Sequence, residues 1–496
     1  MQRLRKDDDP RNSKTFPDKG SPKEEVFAAL KEYKKDDLDW RSGRVWAYTY
    51  HDNTMEEIEQ VAKHAYMEFL TESGLDPTVF PSLMRFENEL VSMSANHVNG
   101  GPDVVGNFTS GGTESIMLAV KTARDWARAH RPHITKPNMV LPVTAHAAFH
   151  KAGQYMDVET KTTPVDSTTF RALVEPMREA VDENTILIVG SAPSYGHGVI
   201  DPMEEIGQVA VEKDILYHVD ACMGGFALPY FRRLGEDIPP FGFEVPGVTS
   251  LSMDLHKYAY TPKGASIILY KDKDLRRHQI FSFSQWTGYT MINNTIQSTK
   301  TGGPIAAAWA TVKYLGDDGY LKLAEKALRT RKAVVDGINR IPKLRVLSHP
   351  QMTLVGFTSD EVNVFHIIDE MKERGWYVQP QLAYDNSPAN IHLSINPSNE
   401  KWVDAVLADL AECVEVAAKL PKSDLAETVQ QMFASINPDD LTPEMFSNML
   451  NMAGVQGHEV PERMAEINMI LDALPPLIRE RLLGEFVNDL FVYRGE

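Results

Sequence analysis

Cysteine, positive charge and long apolar runs are all scarce in this sequence. Its 496 residues include only two cysteines, Cys222 and Cys413, which are too few for a disulfide framework and suit a reducing compartment. No segment resembles a signal peptide or a continuous apolar span, so we expect no transmembrane helix. The 51 Lys and Arg residues against 69 Asp and Glu residues give a net charge of −18, which argues against nucleic acid or an anionic membrane as the main partner. We therefore expect a cytoplasmic protein that acts on a small molecule.

The chain is long enough for more than one domain, and its pattern changes along its length. Hydrophobic residues make up 43% of the sequence, which is sufficient for more than one core. Residues 1–51 predict a charged tail and a helical arm, and residues 52–315 alternate apolar strands with amphipathic helices, which predicts an α/β domain with a mostly parallel sheet. Residues 316–420 predict a smaller α/β domain, and the Met-rich residues 421–496 predict an appended helical extension. Within the smaller domain the predicted strands lie near residues 344–346, 352–357 and 391–394.

The segment 252–264 places a lysine beside a histidine in front of an apolar run. It reads Ser-Met-Asp-Leu-His-Lys-Tyr-Ala-Tyr-Thr-Pro-Lys-Gly and contains His256 and Lys257. The run 265–270 predicts a buried strand, and the turn before it holds the lysine at the edge of the sheet. A lysine amine binds aldehydes only where burial or nearby positive charge makes its neutral form accessible near pH 7. Lys257 is therefore a candidate catalytic amine, with an ordinary surface charge as the alternative.

A phosphate-binding turn and a carboxylate at a strand end accompany this lysine. The run 109–115, Thr-Ser-Gly-Gly-Thr-Glu-Ser, precedes the helical run 116–120, so its backbone N–H groups and hydroxyls can bind phosphate at a helix start. It matches neither the dinucleotide glycine pattern nor the ATP-binding loop. Asp220 ends the apolar strand 215–219 and is placed to pair with a protonated ring nitrogen of a cofactor. A helix-capping aspartate is the alternative interpretation.

Two histidines follow another apolar strand. The run 144–152 comes after the strand-like residues 139–143 and contains His146 and His150, which are four residues apart and are expected to share a helix face. The imidazole of His146 is suited to stack on a cofactor ring. A zinc pair is the alternative, but the usual intervening glutamate and a third ligand are missing, so we expect no metal. His150 is interpreted as a packing or surface residue.

These four segments, in this order, resemble the group II pyridoxal-phosphate-dependent decarboxylase family, and within it the sphingosine-1-phosphate lyases. The resemblance extends from about residue 79 to about residue 420. Its most specific motifs are Asn-Gly-Gly-Pro-Asp at 99–103 and Tyr-x-Pro-Lys-Gly at 260–264, which decarboxylases of the superfamily do not share. The resemblance implies a fold-type I pyridoxal-phosphate enzyme with a large, mostly parallel domain and a small α/β domain. It also implies a homodimer with active sites at the interface.

The resemblance also implies roles for the candidate residues. Lys257 would form the Schiff base with pyridoxal 5'-phosphate, His146 would stack on its ring, and Asp220 would pair with its ring nitrogen. Tyr195 occupies the position of an active-site tyrosine in bacterial members of the family. The remaining residues expected to hold the cofactor are Gly111, Gly112, Thr113 and His256, together with Thr299, which would reach the neighbouring subunit.

The segments on the substrate side depart from the family pattern. Ser73 and Asp76 stand where the family has an asparagine and a histidine, so two polar contacts are altered. Lys300 stands where the family has an arginine, which keeps the charge but loses the bidentate fork suited to phosphate. The run 43–50 is bulkier than its family counterpart. The residues predicted to contact substrate are Tyr50, Ser73, Asp76, His197, Lys263 and Lys300.

By resemblance, the expected reaction is retro-aldol cleavage of a phosphorylated or otherwise anionic amino alcohol to an aldehyde and a phosphoethanolamine-like product. This would place the protein in sphingolipid and carboxylic acid metabolism. An L-amino-acid decarboxylase would use the same cofactor residues, because the outcome depends on which bond is held perpendicular to the ring. A binding protein that has lost catalysis is the third alternative, but it would have no reason to keep Lys257. For the extension 421–496 we expect a structural role at the dimer contact, with covering of the active-site mouth or binding of a partner as alternatives.

Overall fold

A computed structural model describes residues 15–50, 55–420 and 463–491, which form an α/β protein. In chain order its helices are α1 (Lys23–Tyr33), α2 (Glu56–Glu68), α3 (Pro81–His97), α4 (Gly112–His130), α5 (Ala148–Met156), α6 (Val174–Ala180), α7 (Met203–Glu212), α8 (Ala227–Arg233), α9 (Lys273–Arg276), α10 (Gly302–Arg340), α11 (Val364–Glu373), α12 (Val403–Ala417), α13 (Ala465–Ala473) and α14 (Pro476–Leu490). Its strands are β1 (Val105–Thr109), β2 (Asn138–Pro142), β3 (Glu159–Thr163), β4 (Thr185–Ser191), β5 (Leu216–Asp220), β6 (Val248–Met253), β7 (Ser266–Tyr270), β8 (Phe281–Phe283), β9 (Met291–Asn293), β10 (Arg345–Val346), β11 (Leu354–Thr358), β12 (Gln379–Gln381) and β13 (Asn390–Ser394).

The large domain is built on a seven-stranded sheet with the order β1-β7-β6-β5-β4-β2-β3. Strands β4, β5 and β6 are buried at every position, because a sheet covered by helices on both faces selects continuous apolar runs. Strands β2 to β6 pair in parallel, whereas β7 runs antiparallel to both β1 and β6. The predicted mostly parallel sheet is confirmed.

The carboxyl ends of the parallel strands meet at one edge of this sheet, which is where open α/β sheets place their ligand sites. Strand β4 ends at Ser191 and β5 ends at Asp220, and these two residues are register partners on neighbouring strands. Helix α4 begins at Gly112, three residues after β1 ends. The phosphate-binding turn and Asp220 therefore lie at the same edge.

The small domain packs α11 and α12 against a four-stranded antiparallel sheet with the order β10-β11-β13-β12. Helix α10 links the two domains, and Gly316 interrupts it with a φ of 59°, a conformation that favours glycine. The interruption lies next to the domain boundary expected at residues 315 and 316. The domain boundaries themselves remain a prediction.

Most of the strands expected from the sequence are present. Strands β2, β5 and β7 overlap the predicted runs in the large domain, and β10, β11 and β13 overlap those in the small domain. Strand β12 and the hairpin β8–β9 were not expected, because segments of three residues carry too little periodicity to be recognised.

The helical extension is described over residues 463–491. It contains α13 and α14, and α13 overlaps the helix expected at 470–474. The other helix expected there, at 425–433, lies outside the described residues. No helix within the three described ranges is both long enough and apolar enough to cross a bilayer.

Candidate active site

A cavity of about 370 Å³ opens at the carboxyl edge of the large sheet. The phosphate-binding turn, the end of β5 and the lysine segment all contribute to its wall. Asp254, Cys222 and Met223 also line it. The predicted site residues that line this cavity are Gly111, Gly112, Thr113, His146, Tyr195, Asp220, His256 and Lys257.

Lys257 is held by an ion pair that the sequence analysis did not identify. Its Nζ lies 2.9 Å from Oδ2 of Asp254, a buried carboxylate in the same segment. Nε2 of His256 lies 3.6 Å from the same oxygen. The residues between β6 and β7 form turns, so Asp254 folds back onto the lysine. Asp254 thus fixes the position of the Lys257 amine.

This ion pair shifts the protonation of both partners. Burial disfavours the charged amine, but the Coulombic attraction of Asp254 outweighs it and raises the pKa of Lys257. Burial also favours the neutral acid, but the positive charge of Lys257 outweighs it and holds the pKa of Asp254 below its ordinary value. The expectation that the neutral amine is accessible near pH 7 is therefore wrong, because the charge nearest the amine is negative rather than positive.

The phosphate-binding turn is shaped for close approach. Gly111 is the N-cap of the 19-residue helix α4. The N–H groups of the first helical turn, which have no partner within the helix, therefore lie at the end of α4 that borders the cavity. A β-carbon at Gly112 would come within 2.9 Å of Oδ2 of Asp254, so a larger residue does not fit there. Glu114 holds the turn by accepting hydrogen bonds from the backbone N–H and hydroxyl of Ser110 at 2.6 and 2.7 Å.

His256 lies beside this turn as a neutral imidazole. Its Nδ1 accepts the backbone N–H of Ala265 at 3.1 Å, which assigns the ring proton to Nε2. Desolvation by burial lowers the pKa of His256 to about 4. Its Cε1 lies 3.4 Å from the position that a β-carbon of Gly111 would take. His256 can therefore donate a hydrogen bond to a phosphate held at the turn.

Asp220 ends a chain of buried polar groups between β5 and β6. Its Oδ1 accepts the backbone N–H of Cys222 at 3.1 Å and the hydroxyl of Ser252 at 3.4 Å. Ser252 Oγ lies 3.2 Å from Nε2 of His218, whose Nδ1 lies 2.9 Å from the hydroxyl of Ser250. Burial lowers the pKa of His218 to about 4, so its ring is neutral and can accept from one serine while donating to the other. Each hydroxyl and N–H in this chain can thus point toward Asp220.

His146 lies before α5 rather than within it. The helix begins at Ala148, so the helix face expected to carry both His146 and His150 does not exist. Nδ1 of His146 accepts the backbone N–H of Ala148 at 3.1 Å, which orients the ring at the cavity wall. His150 has its Nδ1 3.2 Å from Oγ1 of Thr160. Among the described residues, no group of three or more His, Cys, Asp or Glu side chains is arranged to hold a metal ion.

Tyr195 connects the cavity to the small domain. Its hydroxyl donates to Oε1 of Gln379 at 2.7 Å, and its backbone oxygen lies 2.9 Å from Nε2 of His392. The ring centroids of Tyr195 and His392 are 4.5 Å apart. Burial raises the pKa of Tyr195, so the side chain is a neutral phenol near pH 7.

Tyr50 and Lys263 lie close to the lysine segment but do not line the cavity. Nζ of Lys263 is 4.6 Å from the ring centroid of Tyr50 and donates to the backbone oxygen of Tyr48 at 3.2 Å. Desolvation of the ammonium and repulsion from Lys257 lower the pKa of Lys263 to about 8. Tyr50 is buried, and this burial raises its pKa to about 12.

His197 is buried behind the cavity wall. Its ring stacks on Phe170 with centroids 4.0 Å apart, and its Nε2 lies 3.0 Å from the hydroxyl of Ser387. Desolvation lowers the pKa of His197 to about 4. Its Nδ1 has no hydrogen-bond partner among the described residues.

The remaining predicted substrate residues lie outside the cavity wall. Ser73 forms an isolated bridge with Thr301, and its hydroxyl accepts the backbone N–H of Leu75 at 3.2 Å. Asp76 is exposed, and its carboxylate accepts two hydrogen bonds from Thr78. These residues can contact a ligand only if it extends beyond the cavity.

Thr299 and Lys300 are neighbours in the sequence but differ in solvent exposure. Thr299 is exposed, whereas Lys300 is 7% exposed and its Nζ lies 2.7 and 2.9 Å from the two carboxylate oxygens of Glu87. A buried ammonium needs such a partner, because burying an unpaired charge is costly. The charge predicted to attract substrate at Lys300 is instead neutralised within the chain.

The cavity residues fit pyridoxal 5'-phosphate. Its phosphate matches the glycine turn, where a β-carbon does not fit, and its ring nitrogen matches the carboxylate of Asp220. Two buried oxygens of the wall, Oδ1 of Asp254 and Oγ of Ser191, have no hydrogen-bond partner among the described residues, which suits a polar ligand. Lys257 supplies the amine that an aldehyde requires.

Several functional residues were missed from the sequence. Asp254 could have been found, because it lies three residues before Lys257 within the same motif. Gln379, His392 and Glu87 could not, because each contacts a site residue far away in the chain, and no local pattern records such a contact.

Comparison with known proteins identifies the family. A family model described as "Pyridoxal-dependent decarboxylase conserved domain" matches residues 72–360, and a model for a C-terminal HTH domain of pyridoxal-dependent enzymes matches residues 427–489. The chain is 39% identical to sphingosine-1-phosphate lyase of Arabidopsis thaliana over 403 residues, which cover 80% of this chain and 73% of that protein.

Solved structures agree with this relationship. The structure of a sphingosine-1-phosphate lyase from Burkholderia pseudomallei superposes with a TM-score of 0.78 at 35% identity and covers 82% of this chain and 94% of that one. Glutamate decarboxylase of Lactobacillus brevis, at 17% identity and a TM-score of 0.72 over 83% of this chain and 96% of that one, shares the fold. The predicted fold type, family and cofactor are confirmed. The chain belongs to the pyridoxal-dependent decarboxylase family and is a pyridoxal-phosphate-dependent lyase similar to the sphingosine-1-phosphate lyases.

Proposed function

We propose that this lyase cleaves a carbon–carbon bond in an anionic amino alcohol by a retro-aldol reaction, to give an aldehyde and a phosphoethanolamine-like product. The observation that carries this proposal is a neutral tyrosine, Tyr195, in the same cavity as Lys257. Cleavage of the bond next to the amine-bearing carbon requires a group that binds and orients the substrate hydroxyl, in addition to the residues that hold the cofactor. The likeness to sphingosine-1-phosphate lyases supports the same reaction class.

Pyridoxal phosphate, when bound, withdraws electrons from the carbon attached to the substrate nitrogen. The residues of the chain bind and orient it. The glycine turn and His256 would hold the phosphate, Asp220 would pair with the ring nitrogen, and His146 would pack on the ring. Lys257 would provide the amine that binds the aldehyde. Its Nζ lies 2.9 Å from Oδ2 of Asp254, so this carboxylate would stabilise a proton taken up by the free amine.

Tyr195 orients the substrate hydroxyl. Its hydroxyl donates a hydrogen bond to Gln379, so the lone pairs of the phenol oxygen remain available to accept one. An oxygen in this state can accept a hydrogen bond from the substrate hydroxyl and orient it. The free amine of Lys257, in the same cavity, would take up the proton that this hydroxyl loses. His197, stacked on Phe170, supports the same wall through Ser387 rather than reaching the hydroxyl itself.

Lys263 attracts the anionic end of the substrate. Its ammonium contacts the ring of Tyr50 and the backbone oxygen of Tyr48, and neither partner carries a negative charge that would neutralise it. Lys300, by contrast, is neutralised by Glu87 and contributes no net charge. Ser73 and Asp76 lack the polar groups of the family pattern, which favours a substrate other than sphingosine-1-phosphate itself.

We further propose a homodimer with Thr299 at the neighbouring subunit's site. Thr299 is exposed, as expected for a residue that acts across an interface. In the hairpin that precedes it, the side chains of Phe281, Phe283 and Trp286 are 44–49% exposed. Helix α1 has no buried residue, and its Phe27 is 53% exposed. Apolar surface of this extent marks a contact with another chain. Light scattering that finds a fully active monomer would contradict the dimer.

A cytoplasmic location is part of the same proposal. Cys222 and Cys413 are both free and buried, and burial raises the pKa of both thiols. Neutral, buried thiols survive in a reducing compartment and form no disulfide framework. Fractionation of the native organism, with an antibody against this chain, tests the location.

Product analysis by mass spectrometry tests the reaction. The protein is incubated with phosphorylated amino alcohols and, separately, with aromatic and acidic amino acids. We expect an aldehyde and an amino phosphate from the first group. Release of carbon dioxide from an unphosphorylated amino acid, with no aldehyde, would replace this proposal with the decarboxylase alternative.

A double substitution tests the substrate side. Ser73→Asn together with Asp76→His restores the family pattern, and we expect selectivity to move toward sphingosine-1-phosphate. The control is Glu183→His, which changes an exposed residue at the opposite edge of the large sheet. Ordinary efficiency of the unmodified protein on sphingosine-1-phosphate would contradict the altered pocket.

A further inference from the structure

The helices α13 and α14 are anchored to the small domain by charged groups. Both carboxylate oxygens of the buried Asp369, on α11, accept backbone N–H groups at the start of α13, from Met464 and Ala465 at 2.9 Å each. Arg463 adds an ion pair with Glu370 at 2.6 Å. A buried carboxylate that caps a helix from a neighbouring element fixes both the position and the direction of that helix.

The far end of α13 holds a loop of the small domain. Oδ1 of Asp472 accepts the backbone N–H of Ala383 at 2.5 Å. Ala383 lies in the loop between β12 and β13, where Tyr384 and Ser387 exchange two backbone hydrogen bonds of 3.0 Å. Asp385, at the tip of this turn, has a φ of 50°. The turn is therefore a defined structure, and the extension fixes the residue immediately before it.

The same loop touches the wall of the active-site cavity. At its end, the hydroxyl of Ser387 lies 3.0 Å from Nε2 of His197. In β12, the strand that leads into the loop, Gln379 accepts a hydrogen bond of 2.7 Å from the hydroxyl of Tyr195. Tyr195 lines the cavity beside Lys257. The path from Asp472 to the cavity thus runs through one loop and two side-chain contacts.

Helix α14 packs against its surroundings and is joined to α13. Its Ile478 and Leu482 are 1% and 3% exposed, so one face of the helix is buried. Arg479 donates to the backbone oxygen of Leu474 at 3.2 Å, which joins α14 to the end of α13. Helix α14 therefore supports the end of α13 at which Asp472 contacts the β12–β13 loop.

We propose that the helix pair α13–α14 braces the cavity wall and that Asp472 is its positioning residue. Asp472 acts through Ala383, by fixing the β12–β13 loop so that Gln379 and Ser387 hold Tyr195 and His197 in place. The brace governs how well a substrate fits rather than how the cofactor is held. This inference rests on the proposed function only where substrate kinetics are measured, because the ordering of the loop is observable without any substrate.

The test compares Asp472→Ala with Asp472→Asn in the full-length holoenzyme. Alanine removes the acceptor of the Ala383 N–H, whereas asparagine keeps a carbonyl oxygen at the same place. Hydrogen–deuterium exchange should rise in peptides covering 379–389 and 194–199 of the alanine variant and remain near that of the parent in the asparagine variant. We expect KM to rise by about fivefold to tenfold in the alanine variant, with kcat changed less than about twofold and the cofactor absorbance unchanged.

Glu485→Ala is the matched control, because Glu485 is an exposed residue of α14. It should leave both the exchange and KM unchanged. Unchanged exchange over 379–389 in the alanine variant would overturn the brace, as would an asparagine variant that is as impaired as the alanine variant. If the protein proves to be a decarboxylase, the exchange result still decides the brace, so failure of the reaction proposal is distinguishable from failure of this one.

Discussion

The cofactor side and the substrate side of the cavity are built differently. On the cofactor side the two key charged groups have buried partners: Lys257 has Asp254, and Asp220 has the Ser252 hydroxyl. On the substrate side Asp76 is exposed, and the ammonium of Lys263 lies over the ring of Tyr50. Buried polar networks tolerate little change, because a group that loses its partner stays desolvated. Changes of selectivity are therefore expected on the substrate side, where substitutions cost little stability.

The largest effect that separates the two sides is expected for Lys257→Ala. Loss of the amine removes the covalent attachment of the cofactor, and we expect activity to fall by about a thousandfold or more. The parent protein should show the yellow absorbance of a pyridoxal phosphate–lysine linkage and lose it on borohydride reduction. Lys263→Ala is the control and should retain that absorbance. A Lys257→Ala protein that still cleaves substrate would refute the assignment.

The next largest effect is expected for Asp220→Ala. This change leaves the ring nitrogen without its charge partner in a partly dry site, which costs about 3–5 kcal/mol. Turnover should fall by about two to four orders of magnitude, with cofactor binding weakened less. Single-turnover kinetics together with cofactor titration separate the two quantities. Near-normal turnover would mean that another group faces the nitrogen.

A smaller effect tests the polar chain behind Asp220. Ser252→Ala removes one hydrogen bond to the carboxylate, which at 3.4 Å is long and worth about 1 kcal/mol, so turnover should fall by about fivefold. Ser250→Ala is a matched control two residues earlier on β6, because Ser250 contacts His218 but not Asp220. It should change turnover by less than about twofold. Equal losses in both variants would show that the chain supports the sheet rather than the carboxylate.

The difference between the two sides also explains what the sequence could predict. The residues of the cofactor side lie in short local motifs: Asp220 ends a strand, and the glycine turn begins a helix. The functional group and its position in the secondary structure can therefore be predicted from a few neighbouring residues. The mostly parallel sheet followed from the alternation of apolar strands and amphipathic helices. The family resemblance supplied the fold type, the identity of the cofactor and the individual roles.

The outcomes that were not predicted depend on how the backbone folds. Lys300 was expected to attract substrate, but Glu87, more than two hundred residues earlier, neutralises it. His146 was placed in a helix that begins at Ala148. The protonation of Lys257 was reversed by Asp254, whose effect depends on a turn that brings the carboxylate back to the amine. Such electrostatic outcomes depend on tertiary distances, which residue order alone does not specify.

The smallest expected effect is a pH dependence on the substrate side. Desolvation and repulsion from Lys257 lower the pKa of Lys263 to about 8, so its positive charge is complete well below pH 8 and is lost as the pH rises through that value. If Lys263 attracts an anionic substrate, KM should rise by about threefold between pH 7 and pH 9, while kcat follows the cofactor groups. Lys263→Arg is the matched variant, because an arginine stays charged over this range and should abolish the rise in KM. A KM that rises equally in the parent and the arginine variant would assign the effect to another group and remove Lys263 from the substrate site.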